Sequence, residues 1–159
     1  MLSMCLMAIS LILPVDGDIS PSYARKFTRT MDERVQNCIA LAKLSDTMNA
    51  PTMLVLSIAS VESGFRSNQI SKAGARGLIG VMPSNMKGRD RKAHLAWEKR
   101  GIEILKYLLE KRGICDALAY YNAGYKGKCN GVGGGYASVV LERYQRMCVI
   151  YDREECSTC

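Results

Sequence analysis

One acidic side chain stands apart by its setting. Glu62 closes the run Met53-Leu-Val-Leu-Ser-Ile-Ala-Ser-Val61, apolar nearly all round, and is followed by Ser63-Gly64. A helix of that composition has to be buried. Two effects then raise the pKa of a carboxyl at its C-terminal end: desolvation disfavours the anion, and so does the negative end of the helix dipole. A carboxylic acid that keeps its proton near neutral pH is what general acid catalysis needs. The plainer reading of the same residue is a helix-end glutamate with its head in solvent. Other chemistries have less to stand on. His94 is the only histidine, so a Ser-His-Asp or Cys-His arrangement would have to run through it, and no nucleophile elbow accompanies it. Cys156-Ser-Thr-Cys159 has a chelating spacing but lacks a second close pair to complete a zinc site.

The elements that would carry Glu62 read as helices. Thr30-Met-Asp-Glu33 has capping-box spacing, and Val35, Cys38, Ile39 and Ala42 then recur at three- and four-residue steps, which predicts an amphipathic helix ending near Ser45. Asn49-Ala-Pro-Thr52 opens the apolar helix, and Gly64 stops it. Residues 67–83, rich in Ser and Gly, predict a loop with a short helical turn or hairpin. A 3.6-residue period returns from about Arg91 to Arg112 through Trp97, Gly101, Ile104, Leu105 and Leu108, and Gly113 ends it. A further helix is expected over Ile114 to Asn122. Beyond the glycine-rich loop Gly124 to Gly135, the positions Tyr136, Val139, Val140, Tyr144, Met147 and Cys148 trace one face of a last helix. The expectation is a mainly α single domain of about five or more helices.

Composition bounds the rest. At 159 residues, with 48% hydrophobic residues, the chain has room for one core and little more. Its 22 Lys and Arg against 15 Asp and Glu leave a net charge of +7, spread out except for clusters at Lys87–Lys92 and Lys99-Arg100. Such a surface favours an anionic polymer, and nucleic acid, lipid headgroups or a bacterial wall would each satisfy it. No zinc finger, RNA-binding aromatic signature or recognition helix supports nucleic acid. No apolar run is long enough for a stable membrane span. Residues 1–17 resemble a secretory leader, with an apolar stretch from Leu2 to Leu13 and small residues Val15 and Gly17 before a cleavage point, though without a basic start. The other reading of that stretch is a retained hydrophobic arm packed on the domain or on a partner. Removal would take Cys5 and leave six cysteines, an even set that reads as a disulfide framework in a periplasmic or secreted protein. The expected organisation is a leader over 1–17, an N-terminal helical segment over 18–47, a catalytic domain over 48–150 and a cysteine-rich, stapled tail over 151–159.

Three blocks in order, Val61-Glu62-Ser63-Gly64-Phe65, Ser71-Lys-Ala-Gly74-Ala75-Arg-Gly77-Leu78-Ile79-Gly80-Val81-Met82-Pro83 and Ala119-Tyr120-Tyr121-Asn122-Ala123-Gly124, resemble the soluble lytic transglycosylase family of the lysozyme superfamily. Tyr136 to Tyr144 extends the likeness to the family's closing helix, so about residues 50 to 146 are covered. The resemblance implies a lysozyme-like fold of the goose-type or lytic transglycosylase kind, with Glu62 as the single catalytic acid and Ser63 as its usual neighbour. It implies that Ser71 lies near the N-acetyl group or the attacking oxygen, and that Gly77, Leu78 and Met82 line the groove. Tyr121 would support the acid and the substrate, with Asn122 beside it, and Tyr136 matches a further groove tyrosine. Without that likeness, Met82, Tyr121 and Tyr136 would read as core residues at helical spacing. Two departures concern the subsites: Gly80 stands where the family usually has a substrate-contacting glutamine, and Gly134-Gly135 replaces a Glu-Thr pair.

One carboxylate can suffice when a substituent of the sugar takes the second role, and N-acetyl sugars carry such a group. The substrate implied is therefore the glycan strand of peptidoglycan, cleaved between N-acetylmuramic acid and N-acetylglucosamine to leave a 1,6-anhydro ring, with no metal or organic cofactor. The six glycines between Gly124 and Gly135 lack the Lys-Ser ending of a phosphate loop and read as a mobile flap over a sugar groove. Two alternatives stay open: a hydrolytic muramidase, and a non-catalytic wall-binding component. The setting expected is a secretion or conjugation machine of the envelope, with a virion or phage lysis enzyme as the alternative.

Overall fold

The helix that ends in Glu62 is the axis on which the other elements pack. The computed structural model describes residues 1–11 and 21–151. Within them lie six α-helices: α1 (Leu2–Ser10), α2 (Pro21–Thr47), α3 (Thr52–Glu62), α4 (Ala96–Lys111), α5 (Ile114–Ala123) and α6 (Gly134–Tyr151). Short 3-10 turns occupy Pro83–Met86 and Gly124–Lys126. The mainly α fold expected from the periodicities is the fold found.

Every residue of α3 from Thr52 to Ser60 is buried. Side chains such as Leu54, Leu56 and Ile58 each contribute about 1.5–3 kcal/mol by leaving water. The polar residues of α3 tolerate burial because each finds a partner. Ser57 Oγ donates to the Met53 carbonyl at 2.8 Å, Ser60 Oγ to the Ser57 carbonyl at 2.7 Å, and Thr52 Oγ1 to Asp46 at 2.5 Å. Arg143 of α6 donates to Ser60 Oγ at 2.9 Å. Around this axis α1, α2 and α6 pack on α3, while α5 joins α4 to α6.

Helix limits differ from the sequence expectation where side chains compete with the backbone. α2 starts at Pro21, ahead of the Thr30 capping box. α4 starts at Ala96 instead of Arg91. Asp90 accepts from the Lys92 N–H at 2.8 Å, an Asx turn that withholds that donor from a helix, and Leu95 takes a left-handed φ of 54°. Between α3 and α4 the chain makes a small hairpin without named strands. Arg76 bridges antiparallel to both Ile70 and Val81, and Arg76 and Val81 exchange backbone hydrogen bonds of 2.9 and 2.8 Å.

With residues 1–11 present, Leu2–Ser10 is a helix whose Met4, Cys5, Ala8 and Ile9 are buried in the core. The rest of the expected leader, Ile12 to Gly17, falls outside the described residues. Cys38 pairs with Cys5, the cysteine that removal of a leader would take away. Cys115 pairs with Cys129, and Cys148 is disulfide-bonded as well. The tail from Asp152 to Cys159, with the Cys156–Cys159 pair, also lies outside the described residues. The glycine-rich loop after α5, expected to be a mobile flap, is held at several points. The Cys115–Cys129 bond ties it to the start of α5, the Cys129 N–H donates to Asp116 at 2.8 Å, and the Lys128 N–H donates to Val132 at 2.9 Å. Among the described residues no helix is long and apolar enough to cross a membrane.

Candidate active site

α3 ends at Glu62 because the next residues leave helical geometry together. Gly64 and Phe65 take positive φ angles of 58° and 62°, and the Gly64 N–H closes the helix on the Ala59 carbonyl at 3.0 Å. A left-handed phenylalanine costs on the order of 1–2 kcal/mol. Its ring is fully buried and its carbonyl accepts from Asn37 Nδ2 at 2.9 Å, which offsets the strain. Ser63, also buried, donates to the Leu78 carbonyl at 2.8 Å and so fastens the end of α3 to the loop that follows the hairpin turn.

The Glu62 side chain leaves α3 toward Gly80. A Cβ built on Gly80 would lie 2.3 Å from Glu62 Oε2 and 2.6 Å from its carboxyl carbon, and Gly80 has a φ of +69°. Both the space and the backbone conformation demand glycine here. The residue that departs from the family pattern is thus the one against which the carboxyl rests. Burial raises the pKa of Glu62 above the ordinary value of 4.5, and a hydrogen bond from Tyr136 offsets part of that rise. The Tyr136 hydroxyl is buried and has no partner of ordinary hydrogen-bond geometry; the carboxyl of Glu62 is the acceptor it interacts with, and burial together with that negative charge pushes the phenol's own pKa well up. Tyr121 arrives from α5. Its buried hydroxyl donates to the Ile79 carbonyl at 2.9 Å, and burial, then the charges of Glu62 and Glu98, raise its pKa far out of the working range. Burial thus favours the neutral, proton-donating form of both phenols.

The other positions expected to bind substrate are placed as follows. Ser71 is exposed, and its hydroxyl accepts from the Ala75 N–H at 3.0 Å, closing its own turn. Asn122 is exposed at the end of α5, and Met82 is 38% exposed just before the Pro83–Met86 turn. Neither Ser71 nor Asn122 hydrogen-bonds Glu62. Leu78 is only 2% exposed, with its N–H given to Glu98 and its carbonyl accepting from Ser63. Gly77 and Leu78 also border a cleft of about 520 Å³ lined by Asn37, Gln69, Arg76, Trp97 and Glu98, and Glu62, Tyr121 and Tyr136 are not in its lining. The structure thus gathers Glu62, Gly80, Tyr121 and Tyr136 at one point.

Sequence reasoning missed Glu98. It is buried in α4, and its Oε1 accepts from the Leu78 N–H at 2.7 Å. The signal was present: Glu98, Gly101, Ile102, Leu105 and Leu108 form the buried stripe of α4, so a carboxylate sits on an apolar face.

The sequence profile of the transglycosylase SLT domain matches residues 39–130, more than half of the chain, and takes in Glu62, the hairpin, Gly80, Glu98 and Tyr121. The chain belongs to the transglycosylase SLT domain family. At the level of the family this indicates lytic transglycosylase activity on peptidoglycan. Tyr136 and the rest of α6 lie beyond the SLT match, yet α6 supplies the hydroxyl that meets the acid. No solved structure matches the chain.

Proposed function

We propose that this protein is a peptidoglycan lytic transglycosylase that cleaves the β-1,4 bond between N-acetylmuramic acid and N-acetylglucosamine, with Glu62 as its single general acid and base. The observation that carries the reading is the Glu62 carboxyl at the end of a buried helix, desolvated enough to hold its proton above the usual carboxylate range and met by the Tyr136 hydroxyl. The second buried carboxylate nearby, Glu98, is engaged by the Leu78 N–H and does not compete for the role.

In the cycle, protonated Glu62 gives its proton to the glycosidic oxygen as the bond to muramyl C1 breaks. The acetamide oxygen of the same sugar supports C1 from the opposite face. Glu62, now anionic, removes the proton from the C6 hydroxyl, and that oxygen bonds to C1 and closes the 1,6-anhydro ring. The acid is regenerated and no water is consumed. The Tyr136 hydroxyl steadies the anion midway, since a hydrogen bond to the charged form favours it. By the family resemblance, Ser71 and Asn122 orient the acetamide, and Gly77, Leu78 and Met82 flank the groove.

The proposal extends to place. The Cys115–Cys129 and Cys5–Cys38 disulfides support a periplasmic, secreted or virion-borne setting, where thiols oxidise. The partners proposed are the glycan strands and an envelope secretion, conjugation or virion assembly.

Digestion of purified sacculi with mass spectrometry of the products tests the activity. Anhydro-muramyl ends are expected, and Glu62→Gln should keep the fold while lowering release by about 10³-fold or more, within the usual range for acid–base catalysis. Reducing ends would make the protein a hydrolytic muramidase, and no release by the wild type would leave a wall-binding component.

A further inference from the structure

Glu98 is the charged side chain that the proposed reaction does not use, and its burial calls for a reason. A carboxylate on the apolar stripe of a helix is costly to bury unless its oxygens are satisfied. A leucine would have completed the stripe of Gly101, Ile102, Leu105 and Leu108 at no such cost. What the carboxylate obtains instead is one backbone donor, the Leu78 N–H at 2.7 Å.

That donor belongs to a short stretch of main chain held at successive peptide groups. The Leu78 N–H is held by Glu98 of α4, the Leu78 carbonyl by Ser63 at the end of α3 at 2.8 Å, and the Ile79 carbonyl by Tyr121 of α5 at 2.9 Å. The next residue is Gly80, the wall that the Glu62 carboxyl touches. Among the three clamps Glu98 is the one that takes the backbone N–H, and its carboxyl oxygen is the acceptor. The fit at its other side is close, since a Cβ on Gly77 would lie 2.8 Å from Glu98 Oε1 and 2.7 Å from Trp97 Cβ.

We infer that Glu98 is a positioning residue for Glu62: by holding the Leu78 N–H it fixes the Gly77–Gly80 main chain, and that main chain sets where the carboxyl of the acid rests. The inference rests on the reading of Glu62 as the catalytic acid. Glu98 itself touches neither substrate nor the reacting atoms. Arg76 and His94 line the same cleft as Glu98, the groups that face Glu62 are Tyr136 and Tyr121, and Tyr121 feels both carboxylates, so Glu98 is joined to the acid through the loop that it and Tyr121 clamp.

The test compares the full-length wild type with Glu98→Ala and Glu98→Gln, reading kcat and KM for anhydro-muramyl release from sacculi and, separately, the carboxyl titration of Glu62 by carbon NMR. Glu98→Ala is expected to lower kcat at least tenfold with KM changed less than twofold, and to move the Glu62 midpoint down toward the ordinary carboxylate value as the freed loop admits water. Glu98→Gln keeps an acceptor for the Leu78 N–H and should recover most of the loss. If Glu98→Ala does not fold, Glu98→Asp, one methylene shorter, takes its place with the same expectation. A folded variant that is less stable but keeps wild-type kcat and an unmoved Glu62 titration overturns the inference. A wild type that releases nothing from sacculi overturns the functional reading instead, and the NMR titration then still decides whether Glu98 places Glu62.

Discussion

Glu62 is held between two opposed influences, and their balance is what an acid that must also become a base requires. Burial favours the protonated form, and the Tyr136 hydroxyl favours the anion. Removing the hydroxyl leaves only the first. Tyr136→Phe preserves the ring and its packing, so the Glu62 pKa should rise further and the basic limb of the kcat/KM profile should shift to higher pH, with a lower kcat because the anion formed midway loses its donor. A pH series on sacculi or soluble muropeptides reads this directly, and a limb moving to lower pH would contradict the assignment of that hydroxyl. Phe65 shows the same local economy: a left-handed phenylalanine just beyond the helix end is tolerated because its ring is buried and its carbonyl accepts from Asn37.

At the scale of elements, the site is the meeting of one helix end with one loop. α3 brings the carboxyl, α5 and α6 bring the tyrosines, and the stretch Gly77 to Gly80 lies between them with its main chain clamped. Gly80 is the contact point. Gly80→Ala places a methyl where Glu62 Oε2 lies, so the carboxyl must swing aside, and the positive φ is strained by the added Cβ. The expected outcome is a loss of activity of at least tenfold with about 1 kcal/mol or more of lost stability, measured by sacculus digestion beside thermal unfolding. A fully active variant would mean that the carboxyl works from another rotamer. The glycine that looked like a missing substrate contact is therefore a packing requirement of the acid itself.

For the whole molecule, stability leans on covalent links as well as on the α3 core. The Cys115–Cys129 bond closes a loop of 14 residues in sequence separation, for which the chain-entropy argument gives about 3 kcal/mol. Cys129→Ser should lower the midpoint of thermal unfolding and free the Gly124 to Gly135 loop, seen as faster amide exchange at Lys128 and Cys129, while Glu62 keeps its surroundings because Tyr121 and Tyr136 are anchored in helices. Unchanged exchange in that loop would show that its hydrogen bonds to Asp116 and Val132 suffice without the bond. The net charge of +7 adds a general attraction for an anionic wall that salt weakens, and it does not by itself place the substrate on the acid.

The sequence by itself determined the helical fold and drew attention to Glu62, because a run as apolar as Met53 to Val61 has to be buried, but whether the acid at its end faces solvent or the interior was decided by the tertiary structure. It also carried the three blocks that announce the family, since their glycines and tyrosines sit at fixed spacing. What the tertiary structure alone decided is which groups meet the carboxyl. Gly80 and Tyr136 are brought to Glu62 across 18 and 74 residues, and no local periodicity encodes such distances. Glu98 escaped for a related reason: a carboxylate on an apolar stripe looks like noise until the Leu78 N–H is seen in front of it. Leu78 is buried by the turn between the bridged residues Arg76 and Val81, a pairing that forms only after the chain folds back on itself.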